Sequence, residues 1–125
     1  MFDARHRDRG IRAAAVHPGG IQTELSRHLD PAQLQAAIDR IGKESGQPFK
    51  YKTIPQGAAT SVWAGFVAAA DEIGGHYYEN CHVSQVVPEN KPLSVNSEGV
   101  RAYALDPKTA KALWRNSEEL VGEHF

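Results

Sequence analysis

The most regular pattern of apolar and polar positions lies near the start of the chain. Ile11-Arg12-Ala13-Ala14-Ala15-Val16 is small and apolar with one interruption, and it stops at Pro18-Gly19-Gly20. A run without polar alternation predicts a strand buried on both faces of a parallel sheet. Before it, the charged residues 2–9 closed by Gly10 predict the last turns of a helix. Asp30-Pro31-Ala32-Gln33 predicts a helix start, with Asp30 as cap, Pro31 as first residue and Gln33 reaching back to the cap's N–H. Leu34, Ala37, Ile38 and Ile41 supply its apolar stripe, and the polar, Gly/Pro-punctuated stretch 42–52 predicts a loop.

Thr53-Ile54-Pro55-Gln56 repeats the capping pattern and opens the strongest predicted helix. Ala58, Ala59, Val62, Trp63, Phe66, Val67 and Ala70 fall on one face at helical spacing, which predicts a core-facing stripe. Gly74-Gly75 closes this segment, and His76-Tyr77-Tyr78-Glu79 predicts a second strand with its two tyrosine rings on opposite sides. Residues 80–105, with Pro88, Pro92 and Gly99, show no sustained period and are expected to be irregular. A last helix starts at Asp106-Pro107 and aligns Ala110, Leu113, Trp114, Ser117, Leu120 and Val121. Two strands joined through helices imply a parallel pair with a right-handed connection. Two strands are also too few for a stable open sheet. The fold class is therefore α/β, and the 125 residues form at most one domain.

Composition narrows the function classes. Fourteen basic against fifteen acidic residues leave a net charge of −1 with no long run of either sign. That balance gives no electrostatic case for nucleic acid or an anionic membrane surface. The single cysteine, Cys81, excludes an intrachain disulfide. The charged N-terminal residues do not resemble a signal peptide, and no apolar stretch approaches spanning length. A soluble, cytoplasmic protein is the expectation. The six histidines, at 6, 17, 28, 76, 82 and 124, show neither HExxH spacing nor a zinc-like cluster with Cys81, so no metal site is expected. Cys81 has only His82 beside it and reads as an inert thiol. Trp63, Phe66 and Trp114 lie on apolar helix stripes and read as core.

Four segments in order carry a family resemblance: Arg9-Gly10-Ile11-Arg12 into Val16-His17-Pro18-Gly19-Gly20-Ile21-Gln22-Thr23-Glu24-Leu25, then Pro55-Gln56-Gly57-Ala58-Ala59-Thr60, then Gly74-Gly75-His76-Tyr77-Tyr78, and finally Asp106-Pro107 with 112–122. Together they resemble the C-terminal portion of the short-chain dehydrogenase/reductases, in the retinol-dehydrogenase-like branch. The resemblance implies the last two strands, with their helices, of a Rossmann-type doubly wound parallel sheet: a single partial domain over 1–125. It implies NAD or NADP as cofactor and hydride transfer between nicotinamide and a small-molecule alcohol or carbonyl. By position, Pro18, Gly19, Gly20, Ile21 and Thr23 would bind cofactor. Ile21 would offer backbone groups to the carboxamide, and Thr23 would place its hydroxyl near the carboxamide or pyrophosphate. Residues 24–53 would form the substrate lid. The bland alternatives are that the Pro-Gly-Gly turn only ends a strand and that Thr23 only caps the next turn.

The family's acid–base pair is a Tyr-x-x-x-Lys, in which lysine lowers the tyrosine pKa. Four positions after Tyr51, Tyr77, Tyr78 and Tyr103 stand Pro55, Cys81, His82 and Pro107, so no catalytic residue is assigned. The nearest glycine-rich candidate, Gly42-Lys43-Glu44-Ser45-Gly46-Gln47-Pro48, has proline at the third glycine position and no strand before it, and reads as a surface loop. Two functions follow as expectations. One is the C-terminal segment of an NAD(P)-dependent short-chain oxidoreductase, inactive alone. The other is a non-catalytic interaction module from a truncated gene that keeps the family's oligomer-forming surface. A homo-oligomer or a missing N-terminal segment is expected, because the first strand would keep an open edge; the chain alone should dimerise, swap or be poorly soluble.

Overall fold

Gly10 takes a left-handed conformation and ends the first helical segment, α1 (Phe2–His6) with a following 3₁₀ turn (Arg7–Arg9). The computed structural model describes residues 1–91 and 98–125. Strand β1 (Ala15–His17) follows, then α2 (Pro31–Ser45) and α3 (Ile54–Val62), which runs on as a π-helical turn (Trp63–Val67). Next come β2 (Tyr77–Glu79), β3 (His82–Val83), β4 (Val86–Val87), β5 (Val100–Arg101), a 3₁₀ turn (Ala102–Leu105) and α4 (Pro107–Val121).

The expected parallel pair is present: Ala15 faces Tyr77, Val16 faces Tyr78 and His17 faces Glu79. β3 adds to the far side of β2 by an antiparallel hairpin, giving the order β1-β2-β3. The hairpin's two loop residues, Asn80 (φ 47) and Cys81 (φ 61), are both left-handed, the conformation that matches strand twist in a two-residue turn. β4 and β5 form a separate parallel pair. These two-residue strands lie within the stretch expected to be irregular, because a strand so short has no alternation to read. Pro92 of that stretch lies outside the described residues.

The caps explain the helix starts. At α3, Thr53 Oγ1 accepts from Gln56 N (3.3 Å) and Gln56 Oε1 accepts from Thr53 N (2.9 Å), so both halves of the capping box form. At α2, Asp30 accepts from Ala32 N (2.9 Å), while the expected return bond from Gln33 is absent. α2 also runs through Gly42 to Ser45, four residues into the expected loop, and stops at left-handed Gly46. One interior glycine costs about 1 kcal/mol, which neighbours compatible with helix can absorb. α4 is capped by Asp106, which accepts from Lys108 N and Thr109 N.

Burial departs from the stripes. Tyr78 is fully buried, packs on Trp63 (ring centroids 5.5 Å) and donates to the Glu72 carbonyl (2.8 Å). Burying such a ring is worth about 2 kcal/mol. α3 turns Gly57, Thr60 and Ala64 inward, whereas Phe66 is 88% exposed and Val62 and Val67 are exposed too. Trp114 is half-buried against α1, with Arg5 4.8 Å above its ring, while Leu113, Leu120 and Val121 face outward. β1 is likewise not buried on both faces: Ala15 and His17 are exposed and Val16 is half-buried. It ends the sheet order, so its outer edge has no strand partner among the described residues.

The amino end of the β1–β2 pair is held by a buried carboxylate. Asp3 accepts from Arg12 Nε (2.9 Å), Ala13 N (3.0 Å) and Arg7 Nη2 (2.7 Å). The Arg12 bond, then the Ala13 N–H, hold its carboxyl well below the usual range against the opposing effect of burial. Arg12 also donates to the Ala70 carbonyl, so α1, β1 and the end of the α3 segment meet at one guanidinium.

Candidate functional site

At the other end, β1 leaves the sheet through Pro18 into Gly19, whose φ of +85° L side chains rarely adopt. A Cβ there would also lie 2.8–2.9 Å from Cε, Cδ and Nζ of Lys52. At Gly20 a Cβ would run into the Phe49 ring. The two glycines therefore let the end of the 24–53 segment lie directly on the turn.

That segment is stitched in place. Lys52 N donates to the Gly20 carbonyl (2.9 Å), and Ile21 and Lys52 form an isolated parallel bridge. The Ile21 side chain seats on Gly57 of α3, where a Cβ would collide with it. In this parallel pairing the bond is taken by the residue before Ile21. The N–H and C=O of Ile21 point away from Lys52 and carry no hydrogen bond among the described residues. Lys52 Nζ in turn donates to Asn80 Oδ1 (2.5 Å), just past the carboxyl end of β2. Asn80 Nδ2 donates to Glu98, whose other oxygen lies 3.3 Å from His82 Nε2.

Thr23 serves as a cap. Its Oγ1 accepts from Leu25 N (3.3 Å) at the head of a 3₁₀ turn (Glu24–Ser26), and its carbonyl accepts from Ser26. Accepting leaves the hydroxyl proton available to donate. Beyond it, Leu25 is 90% exposed and Leu29 is exposed, whereas Leu34, Ala37, Ile38 and Ile41 on α2 are half-buried.

The structure thus gathers Pro18, Gly19, Gly20 and Ile21 into one turn at the carboxyl end of β1, with Thr23 beside it. It adds Phe49 and Lys52, which no sequence pattern marks, and Asn80. Asn80 in a two-residue hairpin was the one available signal.

Tyr77 and Tyr78 are poorly suited to acid–base work. Burial, helped by Glu79, pushes the Tyr77 phenol up, and burial likewise pushes Tyr78 up, the direction opposite to activation. The His82 imidazole is pushed up, first by its bond to the Val83 carbonyl and then by Glu98. Among the described residues no group of three or more His, Cys, Asp and Glu could hold a metal ion, and no helix is long and apolar enough to cross a membrane. An apolar hollow of about 300 Å³, lined by Ala13, Ala15, Tyr77, Val100 and Leu105 among others, lies at the amino ends of β1 and β2. Ligands of open α/β sheets bind at carboxyl ends, so this hollow is not the candidate crevice.

Comparison with known proteins bears on the family. The short-chain dehydrogenase/reductase prx1 of Penicillium rubens is 36% identical over 120 residues, covering 96% of this chain and 33% of that protein. The chain belongs to the short-chain dehydrogenase/reductases. It corresponds to their C-terminal portion, and its parallel strands and helices agree with that placement. A probable oxidoreductase of Streptomyces lividans is 38% identical over 107 residues, 84% of this chain and 35% of that protein. Human retinol dehydrogenase 12 is 31% identical over 113 residues, 90% of this chain and 29% of that protein. The chain spans about a third of the length of these relatives. No family model and no solved structure matches it.

Proposed function

We propose that this chain forms the nicotinamide-side wall of an NAD- or NADP-dependent short-chain oxidoreductase acting on a small-molecule alcohol or carbonyl. The observation that carries this reading is the unspent N–H and C=O of Ile21. They are held at the carboxyl end of β1 by a turn whose glycines admit Lys52 and Phe49. A primary carboxamide needs one acceptor and one donor side by side, and a single residue's backbone offers both. Pro18, Gly19 and Gly20 shape the turn, and Thr23 keeps a proton to donate. Bound nicotinamide would supply the hydride chemistry. The chain's own residues hold the ring end and, through 24–53 as a lid, exclude water from it.

With no tyrosine four residues before a lysine, and with the Tyr77 and Tyr78 phenols shifted upward, the 125-residue chain by itself turns over no alcohol or carbonyl. Its cofactor affinity is very low, because a glycine-rich turn at a helix N-terminus normally carries the pyrophosphate. The open edge of β1 leads it to self-associate.

The test is a chimaera in which this chain replaces the corresponding third of the Penicillium rubens relative. It should bind NADH or NADPH in a fluorescence titration. A folded chimaera that binds neither, while the intact relative binds one, overturns the reading. The exposed Phe66, Val67, Leu113 and Leu120 favour a second reading, a non-catalytic interaction module. That reading predicts stable self-association of the isolated chain and no cofactor binding by the chimaera.

A further inference from the structure

We propose that Lys52 and Asn80 are positioning residues: their contact sets the shape of the Pro18–Ile21 turn and so the aim of Ile21's backbone groups. The inference rests on the cofactor-wall reading and deepens it. Three observations converge on Lys52. Its N–H holds the Gly20 carbonyl at 2.9 Å. Its aliphatic stem covers the face of Gly19 that a Cβ would occupy. Its ammonium crosses to Asn80 Oδ1 at 2.5 Å, on a different strand end 28 residues further along.

One residue thereby bridges the carboxyl ends of β1 and β2 at the point where the 24–53 segment rejoins the domain. The ammonium makes no ion pair among the described residues, so its fixed position comes from the Asn80 carbonyl oxygen. Asn80 is in turn fixed from two sides. Its backbone sits in a left-handed turn, and its amide nitrogen donates to Glu98. The next residue's N–H is held by Thr60 of α3 (3.3 Å). Asn80 is thus a rigid post, Lys52 the strap tied to it, and the glycine turn lies under the strap. Without the tie, Gly19 and Gly20 are the most permissive backbone in the site and sample other conformations.

The test uses the chimaera that carries this chain, and four variants of it: Lys52→Met, which keeps the stem but loses the ammonium; Asn80→Gly, which keeps the left-handed turn but loses the amide; the double variant; and Lys52→Arg. Binding of NADH and NADPH at millimolar concentration is followed by the amide resonances of Gly19, Gly20 and Ile21. Hydrogen exchange is measured at the Lys52 amide. Each single variant should weaken binding and speed that exchange about fivefold, the size of one lost hydrogen bond. The double variant should do no more than either single, Lys52→Arg should stay close to wild type, and melting temperatures should barely move.

Single effects that multiply to about 25-fold in the double variant would overturn the proposal, because independent sites add in free energy. Unchanged binding and exchange in Lys52→Met would overturn it as well. If the wild-type chimaera binds neither cofactor while the intact relative binds one, the cofactor-wall reading fails and positioning for that ligand falls with it. The exchange data then decide separately whether the contact shapes the turn.

Discussion

The two ends of the β1–β2 pair are fastened by different chemistry. At the amino end, one buried carboxylate, Asp3, receives two guanidinium groups and a backbone N–H, and Gly74 packs directly against that cluster. At the carboxyl end the fastening is a glycine turn, one lysine and an asparagine carbonyl. The first is charged and buried, and losing any partner strands a charge. The second is built from solvated groups over permissive backbone, and losing it changes shape more than stability. An end made this way suits a site whose backbone groups must meet a ligand, and the other end suits a foundation.

The sharpest break in that contrast is Gly74→Ala. The residue has φ of +118°, and its new Cβ would land on the Asp3 carboxylate and the Arg12 guanidinium. A loss of about 4 kcal/mol or more, or failure to fold, is expected in urea unfolding. Asp3→Asn should cost about 2–3 kcal/mol at neutral pH, trimmed from the full buried-pair penalty because Arg7 is solvent-exposed. Its pH dependence follows from the sign of the shift. The folded-state pKa is lowered, so Asp3's contribution is present above its unfolded pKa of about 3.9 and is lost as pH falls through the folded value. The gap between wild type and Asp3→Asn should therefore close as unfolding is measured at successively lower pH below about 4.

At the other end the expected effects on stability are small. Lys52→Met should change global stability by less than about 1 kcal/mol while altering the turn, as circular-dichroism melts alongside the amide spectra will show. Thr23→Ala should be smaller still in its effect on unfolding, since a cap on one exposed 3₁₀ turn is all it removes. In the cofactor-binding chimaera the same change should weaken affinity by about 0.5–1.5 kcal/mol, one hydrogen bond, by fluorescence titration. An equal loss of stability and affinity there would reduce Thr23 to its capping role.

Local chemistry was the legible part of the sequence. Thr53 with Gln56, Asp30 and Asp106 cap helices where the residues said they would, because a cap is settled within four residues. The parallel pairing of the two strands was legible from their order. The helix stripes are periodic as expected, and Trp63 and Trp114 are half-buried, but Phe66, expected in the core, stays exposed. Periodicity marks a face for burial but does not supply the surface that buries it, and Phe66 and Leu120 have none here. The polar, Gly/Pro-punctuated stretch 42–52 reads as a loop, yet α2 runs on to Ser45; the stop is Gly46, whose left-handed backbone is not visible in the residues. The Pro-Gly-Gly turn was legible, yet its fastening was not. Lys52 and Asn80 are 28 residues apart, and neither belongs to a motif.

The central claim is that the nicotinamide end of the cofactor rests against Ile21 at the carboxyl end of β1. The most direct measurement is an intermolecular nuclear Overhauser experiment on the chimaera, with only the isoleucine methyl groups protonated and NADH or NADPH bound. The account predicts cross-peaks from the nicotinamide ring protons to the Ile21 methyl groups, lost on removal of cofactor. Bound cofactor whose nicotinamide protons reach other isoleucines and never Ile21 would contradict it.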